Sequence, residues 1–173
     1  CASGLEFEAL AKKYSISFIK RPQQSVMGET LLDINLFLKD HGFTDVLSLN
    51  VCCPFTQKET IDEAIKVYQE KKLKCLMPAF PTHEIILDSD MKPLNADANE
   101  LNSKMRKPLY FLANNFYIFN LDRSWEIEGK LFPQYAENDP YFHSISYTES
   151  LDIDTEEQFN VVQAIYKEKQ GQI

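Results

Sequence analysis

DVLSLNVCCPFTQKETIDEAIKVYQEKKLKCLM, residues 45–77, carries the architecture of this chain. Its opening, Asp45-Val-Leu-Ser-Leu-Asn-Val51, is a compact apolar run bounded by turn residues, the composition of an inner strand covered on both faces in a parallel sheet. Thr56-Gln-Lys-Glu59 then has the spacing of a capping box, in which a threonine hydroxyl and a glutamate satisfy the free amides of a helix start. Ile61, Ala64, Ile65 and Tyr68 follow at i, i+3, i+4 and i+7, one apolar stripe of a helix. Leu73-Lys-Cys-Leu-Met77 returns as a second strand. Strand, helix and strand in this order predict a right-handed βαβ crossover, because parallel strands need a long connection and a twisted sheet accepts one hand.

Upstream, Leu5 to Tyr14 reads as a helix carrying Leu5, Leu10, Ala11 and Tyr14, and the alternation ending at Ile19 before Arg21-Pro22 predicts a short strand and a turn. Glu29 to His41, with Leu31, Leu32, Ile34, Leu36, Phe37 and Leu38, is a second helix, and Gly42 is its natural stop. Downstream, Glu84–Leu87 is extended and Asp88-Ser-Asp-Met91 with Lys92-Pro93 is turn-like, a hairpin standing off the sheet. Residues 94–107 are polar and predict a loop with a short helix. Phe116-Tyr-Ile-Phe119 is a strand, and Trp125 lies in a polar, turn-like stretch. A last strand around Ser144 to Tyr147 leads to a second capping box, Thr155-Glu-Glu-Gln158, and a terminal helix with Phe159, Val162, Ile165 and Tyr166. Alternating strands and helices give the α/β class, one domain over residues 1–173. Ligands in such sheets bind beyond the carboxyl ends of the strands, which points to the residues after Leu49, Phe119 and Tyr147.

Bulk properties narrow the partners. A net charge of -8 with a pI near 4.9 argues against nucleic acid, whose binders display a basic stripe. The short basic groups, such as Lys12-Lys13 and Lys71-Lys72-Lys74, fit solvated helix faces. No apolar run approaches the length of a membrane span. Cys1, Cys52, Cys53 and Cys75 form no C-x-x-C pair, as expected of a reduced, cytoplasmic protein, and Cys52 and Cys53 read as buried small hydrophobes. His41, His83 and His143 have no ligand spacing. The chain opens on Cys rather than Met and enters a helix at once, so a further segment upstream is expected.

Glu149-Ser-Leu-Asp152-Ile-Asp154-Thr155 holds the chemistry. In an extended backbone Asp152 and Asp154 share one face while Leu151 and Ile153 take the other. Two carboxylates side by side suit a hard cation, since magnesium takes one or two protein carboxylates and completes its shell with water and substrate phosphates. The helix starting at Thr155 adds its positive end nearby. An exposed acidic turn that caps this helix is the alternative.

Four segments together resemble the acylneuraminate (CMP-sialic acid) cytidylyltransferases. Asp152-Ile-Asp-Thr-Glu-Glu-Gln-Phe159 is similar to the family's closing D-I-D-T-x-x-D-F, with Gln158 in place of the acidic residue. Leu49-Asn-Val-Cys-Cys-Pro-Phe55 resembles L-Q-P-T-S-P-F-R, Ala113-Asn-Asn-Phe-Tyr-Ile-Phe119 resembles N-G-A-F-Y-I-F, and the Ala11-Lys-Lys-Tyr14 helix leads to Arg21-Pro22. The resemblance implies a Rossmann-like nucleotide-diphospho-sugar transferase fold, a mainly parallel sheet flanked by helices, with residues 80–107, including Arg106, as a protruding arm of a homodimer. It implies transfer of CMP from CTP to a nine-carbon keto sugar acid, with Mg2+ held by Asp152 and Asp154, and with Asn50, Tyr117 and Arg21 contacting substrate. The chain departs from the family at Thr56, Ala113 and Gly28. None of its five glycines, Gly4, Gly28, Gly42, Gly129 and Gly171, forms the glycine-rich phosphate loop that opens the family. Those departures favour a second reading, a non-catalytic relative that binds a sugar acid or dimerises. A D-x-D-x-T phosphatase is disfavoured because its motif comes early in the fold. A D-x-D glycosyltransferase, like the cytidylyltransferase, needs a nucleotide-binding first strand.

Overall fold

The computed structural model describes residues 4–23, 31–96, 102, 106–126 and 139–171. In chain order the elements are α1 (Leu5–Lys13), α2 (Leu31–Asp40), β1 (Asp45–Leu49), α3 (Lys58–Glu70), β2 (Cys75–Thr82), β3 (Leu109–Leu112), β4 (Phe116–Asn120), α4 (Leu121–Glu126), β5 (Tyr141–Ser144) and α5 (Glu156–Lys169). They fall into two compact units, residues 1–46 with 119–135 and residues 47–118 with 136–173, and the divide passes within β1 and within β4.

The strands form an open sheet in the order β1-β4-β2-β3, with β5 also on β2. This is the α/β class with helices flanking the sheet that the sequence predicts. β2 changes partner along its length. Leu76 to Ala79 pair parallel with Tyr141 to Ser144, and Ala79 to Thr82 pair antiparallel with Leu112 back to Leu109. Cys75 to Ala79 are buried without a break, as befits a strand covered on both faces. In the crossover α3 joins β1 to β2, and β4 lies between these two strands in the sheet. In the larger unit Ala64 and Tyr68 of α3 pack on Leu76, Phe116 and Ile118, with Leu47, Ile61 and Ile65 around them. The apolar stripe of α3 is therefore what fixes this helix to the sheet, at roughly 1.5–3 kcal/mol for each large side chain buried.

In the smaller unit, α2 ends as its sequence predicts. Gly42 takes φ +80, a left-handed conformation that glycine adopts without a Cβ penalty, and its amide donates to the Lys39 carbonyl at 2.9 Å. Lys39 Nζ reaches Asp122 at 2.8 Å.

Several expectations are corrected. Ile16 donates its amide to Ala11 O at 2.9 Å to close α1, and residues 16–19 join no strand, with a bridge at Lys20 alone in this stretch. Trp125 belongs to α4 rather than to a turn, because Asn120 Oδ1 accepts the amides of Asp122 (3.1 Å) and Arg123 (3.2 Å) and starts a helix there. The last strand is Tyr141–Ser144, and residues 147–150 turn, with the Ser150 amide on Ser146 O at 3.2 Å. Cys52 and Cys53 follow β1 in a turn rather than on a strand. Cys53 and Cys75 are buried free thiols and Cys52 is half-buried. The segment after β2 is hairpin-like as read, with Leu87 bridged to Pro93 and Asp88 Oδ1 accepting the amides of Asp90 and Lys92. The short helix expected within 94–107 falls mostly on residues outside those described, as do Gly28 and Gly129. Among the described residues no helix is long and apolar enough to cross a membrane.

Of the two capping boxes, one forms. Thr155 Oγ1 accepts the Gln158 amide at 3.2 Å while Gln158 Oε1 accepts the Thr155 amide at 2.8 Å. Thr155→Ala is expected to cost about 1 kcal/mol, read as a lower urea midpoint at unchanged slope. The other fails: α3 begins at Lys58 with Gln57 as N-cap and no capping side chain of its own, because the Thr56 hydroxyl donates to the Cys53 carbonyl at 2.9 Å.

Candidate active site at the end of strand β1

Asn50 follows the last residue of β1, and its backbone amide donates to Asn115 O at 2.8 Å, just ahead of β4. Its side-chain oxygen accepts the Cys52 amide at 3.0 Å, an Asx turn that fixes the amide plane and leaves Nδ2 outward. Nδ2 lies 3.4 Å from each carboxylate oxygen of Asp152. The Asp152 segment is drawn in by the Ile153 amide on Cys52 O at 3.1 Å. From the other strand, Asn114 Nδ2 lies 3.5 Å from Asp152 Oδ2, and the Tyr117 hydroxyl donates to Asn114 Oδ1 at 2.6 Å. Asn50, Tyr117 and Asp152, chosen from sequence, thus converge with Asn114, which was not.

The electrostatics follow from this crowding. Burial pushes the Cys53 thiol up, and the charge of Asp152 and a hydrogen bond to it push further, to about 12. Asp154 also raises Cys53, so both aspartate charges are felt at the thiol. Tyr117 is raised above its ordinary value by burial first, then by Cys53 and Asp152. Both groups are therefore protonated donors at neutral pH. The Asp154 carboxylate is exposed and has no hydrogen bond among the described residues, while its amide donates to Gln158 Oε1 at 2.7 Å. No group of three His, Cys, Asp or Glu side chains placed to hold a metal occurs among the described residues.

Beneath this layer, Glu149 provides the cap that Thr56 does not. Its Oε1 accepts the Gln57 amide at 3.2 Å and the Thr60 hydroxyl at 2.6 Å, and Oε2 accepts the Ser146 hydroxyl at 2.9 Å. A carboxylate at a helix start is favoured both by the free amides and by the helix dipole. Burial pushes the Glu149 carboxyl up, but the hydrogen bonds from Thr60, Ser146 and the Gln57 amide outweigh it and hold the group below its ordinary value of 4.5. A depressed carboxyl contributes stability that is present above the ordinary value and lost as pH falls through the lower folded one. The stability gap between wild type and Glu149→Gln is therefore expected to shrink as pH drops below 4.5, checked by urea titrations across that range. Asn115, 1% exposed, ties the layers together, with Nδ2 donating to Thr56 Oγ1 at 2.8 Å and to Glu149 O at 2.6 Å.

Asp152 lines a cleft of about 400 Å³ together with Phe80, Tyr147, Gln158 and Val162. Phe80 and Tyr147 also wall a second cleft of about 690 Å³ with His83 and Phe111. Phe80 stacks on Phe111 at 5.4 Å and meets Tyr147 edge-on at 5.6 Å. Arg106 is buried with Nη1 on His83 O at 2.5 Å. Arg21 is half-buried and belongs to the smaller unit, whereas the cluster belongs to the larger one. Asn114, Asn115 and Glu149 were missed as site residues. The signal for the asparagines was two adjacent polar residues at the mouth of an apolar strand, where a polar side chain must find partners.

No protein-family model matches the sequence, and no curated protein matches it. Solved structures do. A 4-diphosphocytidyl-2C-methyl-D-erythritol synthase from Anaerococcus prevotii DSM 20548 matches with a TM-score of 0.60 at 16% identity, over 94% of this chain and 76% of that one. A CMP:2-keto-3-deoxy-manno-octonic acid synthetase complexed with CTP matches with a TM-score of 0.64 at 8% identity, over 97% and 80%. The chain shares the fold of these two enzymes. A cytidylyltransferase from Leptospira borgpetersenii serovar Hardjo-bovis (strain JB197) adds a weaker match, with a TM-score of 0.50 at 14% identity over 92% and 62%. In this shared fold, the Asn50 and Asp152 cluster lies just beyond the carboxyl end of β1, the side of an open α/β sheet where ligands bind.

Proposed function

We propose that this chain is a CTP-dependent cytidylyltransferase that joins CMP to a sialic-acid-like sugar acid. The observation that carries the proposal is the Asp152 carboxylate, faced by the amide nitrogens of Asn50 and Asn114 at the carboxyl end of β1 and exposed to a cleft. The likeness to a CMP:2-keto-3-deoxy-manno-octonic acid synthetase supports an acidic sugar as acceptor. Asp152 and Asp154 fit magnesium, which needs one or two carboxylates and takes its remaining ligands from water and phosphates. An exposed Asp154 carboxylate without a hydrogen-bond partner among the described residues leaves such a position open. When bound, magnesium neutralises charge that develops at the α-phosphate. The chain's own part is to hold Asp152 in place, to present the Asn50 amide and the Tyr117 hydroxyl near the acceptor, and to line the acceptor cleft with Phe80 and Tyr147. Arg21 as a substrate contact, residues 80–107 as a dimer arm, and a cytoplasmic location belong to the same proposal.

The second reading, a sugar-acid-binding or dimerising module without turnover, is favoured by Thr56 and Ala113. Thr56 is engaged with Cys53 O and Asn115, and Ala113 is 2% exposed, so neither supplies the polar group of the resembled family. Calorimetric titration of the chain with CTP and Mg2+, followed by assay for CMP-sugar and pyrophosphate, separates the two. Magnesium-dependent CTP binding with pyrophosphate release supports the enzyme, and sugar-acid binding without CTP binding overturns it.

A further inference from the structure

We propose that Tyr117 and Asn114 act as a positioning pair that orients the Asp152 carboxylate. The geometry of the pair is independent of the cytidylyltransferase reading, and its effect on binding rests on it. A carboxamide has an acceptor end and a donor end, so the group that its oxygen accepts from decides which way its nitrogen points. Two carboxamides at this site are set by the same logic. The oxygen of Asn50 accepts the Cys52 amide at 3.0 Å, and its nitrogen faces Asp152 at 3.4 Å. The oxygen of Asn114 accepts the Tyr117 hydroxyl at 2.6 Å, and its nitrogen faces Asp152 Oδ2 at 3.5 Å. Each turned amide offers hydrogen to one carboxylate.

The backbone under Asn114 is fixed. The Ala113 amide donates to Pro78 O at 2.9 Å, and Asn115 O accepts the Asn50 amide at 2.8 Å. Rotation of the side chain is the freedom left to Asn114, and the Tyr117 hydroxyl removes it. Contacts of 3.4–3.5 Å are long for hydrogen bonds, so they steer the carboxylate while leaving lone pairs open toward the cleft that Asp152 lines. Without the hydroxyl, the Asn114 amide can turn its oxygen toward Asp152, which replaces attraction by repulsion. Tyr117 therefore acts on Asp152 through Asn114.

Two measurements test the pair on the full chain. Side-chain amide signals of Asn114 and Asn50 are followed by NMR in the free wild type and in Tyr117→Phe. Calorimetry of Mn2+ in the presence of CTP is then run on wild type, Tyr117→Phe, Asn114→Ala and the double variant. The expected result is that Tyr117→Phe moves the Asn114 signals toward those of an exposed asparagine and leaves Asn50 in place. Each single variant is expected to weaken Mn2+ binding roughly 10-fold, at the low end of the cost of losing an outer partner of a metal ligand. The double variant should lose no more than Asn114→Ala alone, because the hydrogen bond of the Tyr117 hydroxyl reaches Asp152 by way of the Asn114 amide. Additive losses, unchanged Mn2+ affinity or unmoved Asn114 signals overturn the pair. Failure of the wild type to bind Mn2+ with CTP takes down the functional reading instead, and the NMR comparison then decides the pair by itself.

Discussion

Asp152→Asn is expected to lower CMP transfer by about 100-fold or more and to remove magnesium-dependent CTP binding, with folding stability lowered by about 1–2 kcal/mol. The substitution keeps the size and shape of the side chain and deletes its charge. Four donors face that charge: the amide nitrogens of Asn50 and Asn114, the Cys53 thiol, and the Ile153 amide at 3.0 Å. An asparagine there offers one acceptor end to four donors and brings a further N–H₂ that the amides cannot accept. A cation that relied on the carboxylate would meet amide hydrogens in its place. Asp154→Asn is expected to fall short of this loss, because that carboxylate is exposed and no donor among the described residues hydrogen-bonds to it. Equal CTP binding by wild type and Asp152→Asn, followed by calorimetry with Mg2+, would remove Asp152 from the chemistry.

What could be read from the sequence was what repeats at short range. The stripe Ile61, Ala64, Ile65 and Tyr68 announced α3, Thr155 and Gln158 announced the start of α5, and Gly42 announced the end of α2, because in each case the partners lie within one or two helical turns. Asp152 stood out for the same reason, two acidic residues alternating with two apolar ones. The capping of α3 was misread because Thr56-Gln-Lys-Glu59 has the right local spacing, whereas the carboxylate that caps the helix comes from Glu149, and a contact across that separation leaves no periodic trace. Asn114 escaped notice likewise, since its meaning depends on the Tyr117 hydroxyl turning it toward an aspartate on another segment. The insertion of β4 between β1 and β2 is a matter of sheet order, which local patterning does not encode. α4 was legible in principle, as Asn120 is a sound N-cap, but the charged residues Asp122 and Arg123 that follow masked the helix behind a turn-like composition.

Asn115→Ala is expected to cost about 3 kcal/mol or more, the largest stability loss among the polar positions around the site. The side chain is 1% exposed, and its nitrogen donates both to Thr56 Oγ1 at 2.8 Å and to Glu149 O at 2.6 Å. Removing it leaves the Glu149 carbonyl without that donor in a dry place and opens a small cavity, and a buried group deprived of its partner costs roughly 1–3 kcal/mol by itself. Its own oxygen has no partner among the described residues, so the amide is held from the nitrogen side alone, and alanine offsets part of the loss by removing that oxygen's burial cost. Asn115→Asp sharpens the test. It sets a carboxylate against the Glu149 carbonyl with no donor of its own, so burial would raise its folded pKa above the unfolded one. Such a group is tolerated at pH below its unfolded value and destabilises as pH rises through the folded value, the reverse of the sign at Glu149. Urea titrations of both variants at acid and neutral pH are expected to show Asn115→Asp gaining on Asn115→Ala as pH falls. A loss below about 1 kcal/mol for Asn115→Ala would mean that water reaches Thr56 and Glu149. The junction that sets Asn50 against Asp152 would then be wet, and its order would have to come from β1 and β4 alone.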